Sequence, residues 1–205
     1  MHLGHLANVQ SISEREWRKL VGMYNTIDDF DPLSIVSADR IKKSVIDGIP
    51  DSLRGEIWCL LCEVKKTRSK HSEDIYWKLI DLDNPEDEHR IQKDVTRTFT
   101  NYPVMSGEEE NVENKWNTKD AMDQLFNILL AYANYDTQVG YVQGLNYIAA
   151  MLLMHIQDEE RVFWCLVFIL NRNQWRSIYM EEMPKLMEII DILDDKLKKN
   201  YPHIS

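Results

Sequence analysis

Apolar residues recur at spacings of three and four along nearly the whole chain, and no stretch keeps the two-residue alternation of a half-buried strand. Leu53, Ile57, Leu60, Leu61 and Val64 form one such stripe; Met122, Leu125, Phe126, Leu129, Leu130 and Ala133 form another. Only 7 Gly and 6 Pro punctuate 205 residues, so helices should be many and long loops few. An all-α, irregular multi-helix architecture is expected, as a single helical domain over residues 1–205. Ser13-Glu14-Arg15-Glu16 reads as a capping box opening a helix that carries Trp17, Leu20, Val21 and Tyr24. Further helices are expected at about 38–46 with Gly48 past the end, from Pro50-Asp51-Ser52 onward, at 72–81, about 86–99, 118–135, after Gly140, from Asp158, and about 184–200. The charged run Lys65 to Lys70 reads as a solvated connector, and residues 100–117, with Pro103, Gly107 and three successive glutamates, as the longest loop.

Charge and cysteine usage exclude several function classes. The net charge is −10, from 24 basic and 34 acidic side chains. Such a surface repels nucleic-acid phosphates and anionic membranes, so neither is an expected partner. The longest apolar run, Val162 to Leu170, falls far short of the roughly 20 residues a membrane span needs, so no membrane insertion is expected. Met1-His2-Leu3-Gly4 lacks a secretory signal, and a cytoplasmic protein is expected. Cys59-Leu60-Leu61-Cys62 has the C-x-x-C spacing, but no second Cys or His pair completes a zinc site, and the segment is helical in pattern. Two small side chains packed in a helix is the better reading, and no metal is expected.

The residues that invite a chemical reading are Arg97 and Gln143. Arginine presents a permanent charge on a planar fork that matches phosphate oxygens. Glutamine can accept from a water while donating to a phosphate. On a helical wheel, Ile91, Val95 and Phe99 share a stripe, Arg97 lies nearly opposite it, and Asp94 lies between, within contact reach of Arg97. Spacing alone leaves two readings open: an exposed ion pair worth about 0–1 kcal/mol, or an aspartate that holds the guanidinium in one rotamer. Gln143, read at the first turn of a helix, is equally open between capping and chemistry, although Gly140 and Gly144 would permit close approach of another backbone or a phosphate. Arg54 and Trp58 sit one turn apart and read first as a packing contact that locks two helices.

Taken together, these segments resemble the TBC (Tre-2/Bub2/Cdc16) domain of Rab GTPase-activating proteins. Its R-x-x-x-W, I-x-x-D-x-x-R and Y-x-Q signatures stand here as Arg54 to Trp58, Ile91 to Arg97, and Tyr141-Val142-Gln143, in the family's order. Flanking segments agree as well: Asp47-Gly48-Ile49-Pro50 precedes the first signature and Gly144-Leu145-Asn146 follows the third. The resemblance covers about residues 45–200. One departure is Arg97-Thr98-Phe99-Thr100, where the family has proline after phenylalanine.

The resemblance implies a GTPase-activating protein that accelerates GTP hydrolysis on a GTP-bound Rab-family GTPase, supplying Arg97 and Gln143 in trans as arginine and glutamine fingers. Asp94 would position Arg97, Tyr141 and Gly144 would shape the glutamine turn, and Arg54 with Trp58 would support the pocket. No cofactor is expected on this chain, because Mg²⁺ and GTP arrive with the GTPase. It further implies a role in vesicle trafficking, with the chain held peripherally at endomembranes through the GTPase. Family domains continue into a second helical lobe, so the sequence, ending at Ser205, is expected to be the N-terminal lobe with the C-terminal lobe missing. The alternatives are a non-catalytic helical module that binds a GTPase or other partner as a scaffold, and a helical adaptor without any GTPase.

Overall fold

A computed structural model describes residues 4–101, 118–172 and 175–201. After a 3₁₀ turn at Gly4–Asn8, the helices are α1 Glu14–Thr26, α2 Ala38–Asp47, α3 Arg54–Leu61, α4 Val64–Arg68, α5 Ile75–Ile80, α6 Pro85–Asn101, α7 Thr118–Tyr135, α8 Leu145–Ile156, α9 Glu159–Asn171, α10 Arg176–Tyr179 and α11 Pro184–Asn200. No strand occurs among the described residues, and the fold is all-α.

The local signals act as expected at several ends. Ser13 accepts from the Glu16 amide while the Glu16 carboxylate accepts from Ser13, closing the capping box of α1. Gly48 ends α2 at φ +115°, and the Asp158 side chain caps α9. The lysine-rich connector behaves otherwise. It forms α4, entered through Glu63 at φ +49°, and two of its cations, Lys65 and Arg68, reach partners on other elements while Lys66 and Lys70 stay exposed. Lys65 Nζ donates to the Tyr24 and Asn25 carbonyls at 2.7 and 3.1 Å, and Arg68 Nε pairs with Glu160 at 2.6 Å. The expected loop at 102–117 lies outside the described residues, while α6 runs on to Asn101.

Helix α7 packs against α5, α6, α8 and α9, and α8 in turn against α3, α6 and α9. Val162, Phe163, Trp164, Cys165, Leu166, Val167 and Leu170 of α9 are all buried, so that helix is enclosed on every side. Glu56 of α3 and Arg161 of α9 join in a two-pronged pair at 2.7 and 2.9 Å, which holds the Glu56 carboxyl below the usual carboxylate range. At the end of the chain, α11 packs on α10 and buries none of its residues, leaving Met187, Ile190 and Leu193 exposed. Cys59 and Cys165 are buried and Cys62 is half-buried. Among the described residues no His, Cys, Asp and Glu group could hold a metal ion, and no helix is long and apolar enough to cross a membrane.

Candidate functional site

Helix α6 buries Asp87, Ile91, Asp94, Val95 and Thr98, a stripe at helical spacing in which three of five positions are polar. Arg97 points away from it, with 60% of its side chain exposed against 7% for Asp94. Asp94 Oδ1 pairs with the Arg97 guanidinium, and Asp94 Oδ2 accepts from the Tyr141 hydroxyl at 2.8 Å. An ordinary exposed ion pair has two mobile partners. Here the carboxylate is buried and fixed from behind, so one terminal nitrogen of the guanidinium is held while most of the arginine side chain stays in solvent.

Tyr141 belongs to the segment between α7 and α8, and that segment is tied to α6 a second time. The Tyr141 amide donates to Asp87 Oδ2 at 3.1 Å, while Asp87 Oδ1 pairs with Arg90 at 2.9 Å. The Arg90 guanidinium lies 5.7 Å from the Tyr141 ring centroid, within cation–π range. Gly140 stands at φ +61°, and a Cβ there would meet Asp87 Oδ2 at 3.1 Å, so both conformation and space call for glycine.

Gln143 is exposed and occupies the turn before α8 rather than its first turn. The Leu145 amide closes that turn on the Val142 carbonyl at 3.2 Å, and Gly144 follows at φ +108°. A Cβ on Gly144 would meet nothing within 4 Å, so its requirement is conformational and its outer face is open. The structure thus joins Arg97, Asp94 and Tyr141 through one carboxylate and one phenol, and Gln143 and Gly144 follow Tyr141 on the same segment. Arg54 and Trp58 are elsewhere. The Trp58 ring meets His155 edge-on at 4.9 Å, and Arg54 donates to the Ile49 carbonyl at 3.1 Å beside its pair with Asp51. His155 lies eleven residues along α8 from Gly144, about 16 Å away. The Trp58–His155 contact therefore locks α3 to the far end of α8, and burial, reinforced by the Arg54 charge, keeps the His155 imidazole neutral more readily than usual.

Two members of the cluster escaped the sequence reading: Thr98 and Asn146, 0% and 2% exposed. A signal existed. Asn146 falls on the stripe of Ala149, Ala150 and Leu153, where an amide in an apolar row marks a buried hydrogen-bond network.

Burial pushes the Tyr141 phenol up to about 12 from the ordinary 10.0, against the opposing charges of Arg90 and Arg97. A raised folded-state value means this group's contribution to stability is complete below pH 10.0 and is lost between there and about pH 12. Tyr141→Phe should lose less stability than the wild-type chain across that window. Parallel denaturant titrations at the two ends check it, and equal slopes would contradict it.

The chain matches the family model of the Rab-GTPase-TBC domain over residues 51–205. It is 30% identical over 188 residues to GTPase-activating protein GYP5 of Saccharomyces cerevisiae, covering 92% of this chain and 18% of that protein. GYP5 of Eremothecium gossypii is 28% identical over 193 residues, covering 93% and 21% respectively. Growth hormone-regulated TBC protein 1 of Xenopus laevis is 27% identical over 170 residues, covering 81% and 46%. The chain therefore spans less than half the length of these curated relatives. The crystal structure of the Chlamydomonas flagellar RabGAP TBC domain aligns at a TM-score of 0.63 and 24% identity, over 92% of this chain and 60% of that one, a likeness of fold.

Proposed function

Because the chain belongs to the RabGAP-TBC family, we propose that it accelerates GTP hydrolysis on a GTP-bound Rab-family GTPase by lending Arg97 and Gln143 to that enzyme's site. The observation that carries this reading is the anchoring of Arg97: its guanidinium is bound to Asp94, whose other oxygen is bound to Tyr141, two residues before Gln143. An exposed cation and an exposed amide, each on a constrained element, suit insertion into a phosphate site that lacks them.

In this mechanism Arg97 enters the nucleotide pocket and stabilises charge that develops on the γ-phosphoryl oxygens and the bridging oxygen. Asp94 keeps the fork aligned, so little rotamer freedom is lost on docking. The Gln143 carbonyl accepts from the attacking water while its NH₂ donates to the phosphoryl group. Mg²⁺ and GTP belong to the GTPase, and peripheral association with endomembranes follows from that partner. Arg54 and Trp58 support the site indirectly, by fixing the helix that the glutamine turn opens.

The test is complex formation with GDP-loaded Rab proteins in the presence of aluminium fluoride, which imitates the transferring phosphoryl group. A group complementary to the transition state binds that complex more tightly than the GDP form alone. Fluoride-dependent binding that is lost in Arg97→Ala is the expected result; fluoride-independent binding that Arg97→Ala leaves intact would make the chain a scaffold.

A further inference from the structure

Thr98 and Asn146 touch no exposed surface, yet they join the helix of Arg97 to the turn of Gln143. Thr98 Oγ1 donates to the Asp94 carbonyl at 2.7 Å and accepts from Asn146 Nδ2 at 2.6 Å. At the other end of the same amide, Asn146 Oδ1 accepts from the Gly144 N–H at 3.0 Å and lies 3.4 Å from the Tyr141 hydroxyl. Both ends of the carboxamide are therefore engaged, one on α6 and one on the residue that follows Gln143. An apolar side chain here would leave the Gly144 N–H and Thr98 Oγ1 without these partners, so the satisfied amide fixes the geometry of both elements at once.

The Gly144 amide has a particular need of this acceptor. At φ +108° Gly144 stands outside the helical ladder, and the turn is otherwise closed by the Leu145 amide on the Val142 carbonyl at 3.2 Å. We propose that Asn146 is a positioning residue that clamps the Gln143–Gly144 turn to the Arg97 helix, so that the two groups are presented to the GTPase as one unit. This rests on the arginine and glutamine roles proposed above, and it distinguishes Asn146 from groups that touch the phosphate. A glutamine released from its turn should still dock, because the surface is intact, but it would meet the water in the wrong place.

The experiment compares the wild-type chain with Asn146→Ala, Asn146→Asp and Thr98→Val, by single-turnover hydrolysis over a range of chain concentrations and by residue-resolved amide exchange without a partner. Asn146→Ala should lower the maximal rate by about 10- to 100-fold, as misplacement of a reacting group does, with the half-saturating concentration unchanged within about twofold. Its Gly144 amide should exchange about tenfold faster, reflecting one lost hydrogen bond. Asn146→Asp keeps the acceptor and should retain Gly144 protection, while the shape-conserving Thr98→Val should speed Gly144 exchange by a smaller factor.

An unchanged maximal rate with unchanged Gly144 exchange in Asn146→Ala would overturn the proposal, as would a rise in half-saturating concentration alone. If the wild-type chain accelerates nothing, the activating function fails, and the exchange data still decide whether Asn146 holds the turn. Should Asn146→Ala not fold, Thr98→Val decides: Gly144 exchange faster than wild type supports the clamp, and wild-type exchange refutes it.

Discussion

Arg97→Ala is expected to cut the activated rate of GTP hydrolysis by about 10³-fold or more, equivalent to about 4 kcal/mol of transition-state stabilisation. The fold should hardly notice. Arg97 is 60% exposed, and Asp94 keeps the Tyr141 hydroxyl at 2.8 Å when the guanidinium is gone. Loss of such a half-exposed pair costs about 1 kcal/mol or less. Arg97→Lys separates charge from shape: the ammonium keeps the positive charge but cannot present the two-pronged fork, so hydrolysis should still fall steeply while binding of the GTPase persists. Single-turnover rates and equilibrium binding on the same preparations check both halves. Rates equal to wild type in either variant would reduce Arg97 to a surface ion-pair residue.

Gly55→Ala is expected to destabilise the chain by about 3 kcal/mol, which for a domain of this size lowers Tm by roughly 6–12 °C. In an exposed helix the same change would stabilise by up to about 1 kcal/mol. At Gly55 the sign reverses, because α3 crosses α8 there in direct backbone contact. An added Cβ would lie 2.8 Å from the His155 carbonyl carbon and 3.1 Å from the Ile156 Cα, and it would press hardest on the His155 carbonyl oxygen. Backbone atoms cannot rotate aside, so the helices must part, loosening Ile57 and Leu60 from the core and Trp58 from its 4.9 Å contact with His155. Thermal unfolding followed by circular dichroism decides it, and a Tm at or above the wild-type value would contradict the packing described. Because α8 also carries the glutamine turn, the residual folded protein should show a lowered maximal rate.

Much of this architecture was legible because its signals are local. The Ser13 capping box, the glycine after α2 and the apolar period of α7 each lie within one or two helical turns of sequence, and each sets an element end or face. The outward direction of Arg97 followed from the wheel alone. What escaped depends on distant partners. The lysine-rich segment reads as solvated until Lys65 is seen on carbonyls forty-one and forty residues away, and Arg68 on a carboxylate ninety-two residues on. The junction between α3 and α4 at Glu63 adopts a left-handed conformation without a glycine, so nothing in the sequence marks it. Helix α10 is only four residues long, and Arg176 fastens it to Asp136 at 2.5 and 2.7 Å, again across forty residues.

The site was half legible for the same reason. The signatures locate Arg97, Asp94, Tyr141 and Gln143 along the chain, but they do not reveal that Asp94 is buried. The polar residues of α6 sit on its inward face, where a reading based on apolar period places solvent. Only with α6, α8 and the 136–144 segment assembled does Asp94 become the junction between the two candidate fingers. Thr98, which directly follows Arg97, serves the buried network, with Oγ1 bonded to both Asp94 and Asn146.

The account stands or falls on single-turnover GTP hydrolysis by a panel of GTP-loaded Rab proteins, with the wild-type chain, Arg97→Ala and Gln143→Ala added in parallel. It predicts acceleration of at least one Rab by the wild-type chain, and loss of that acceleration in both variants. Acceleration that survives in either variant, or none on any Rab with the wild-type chain, would contradict it.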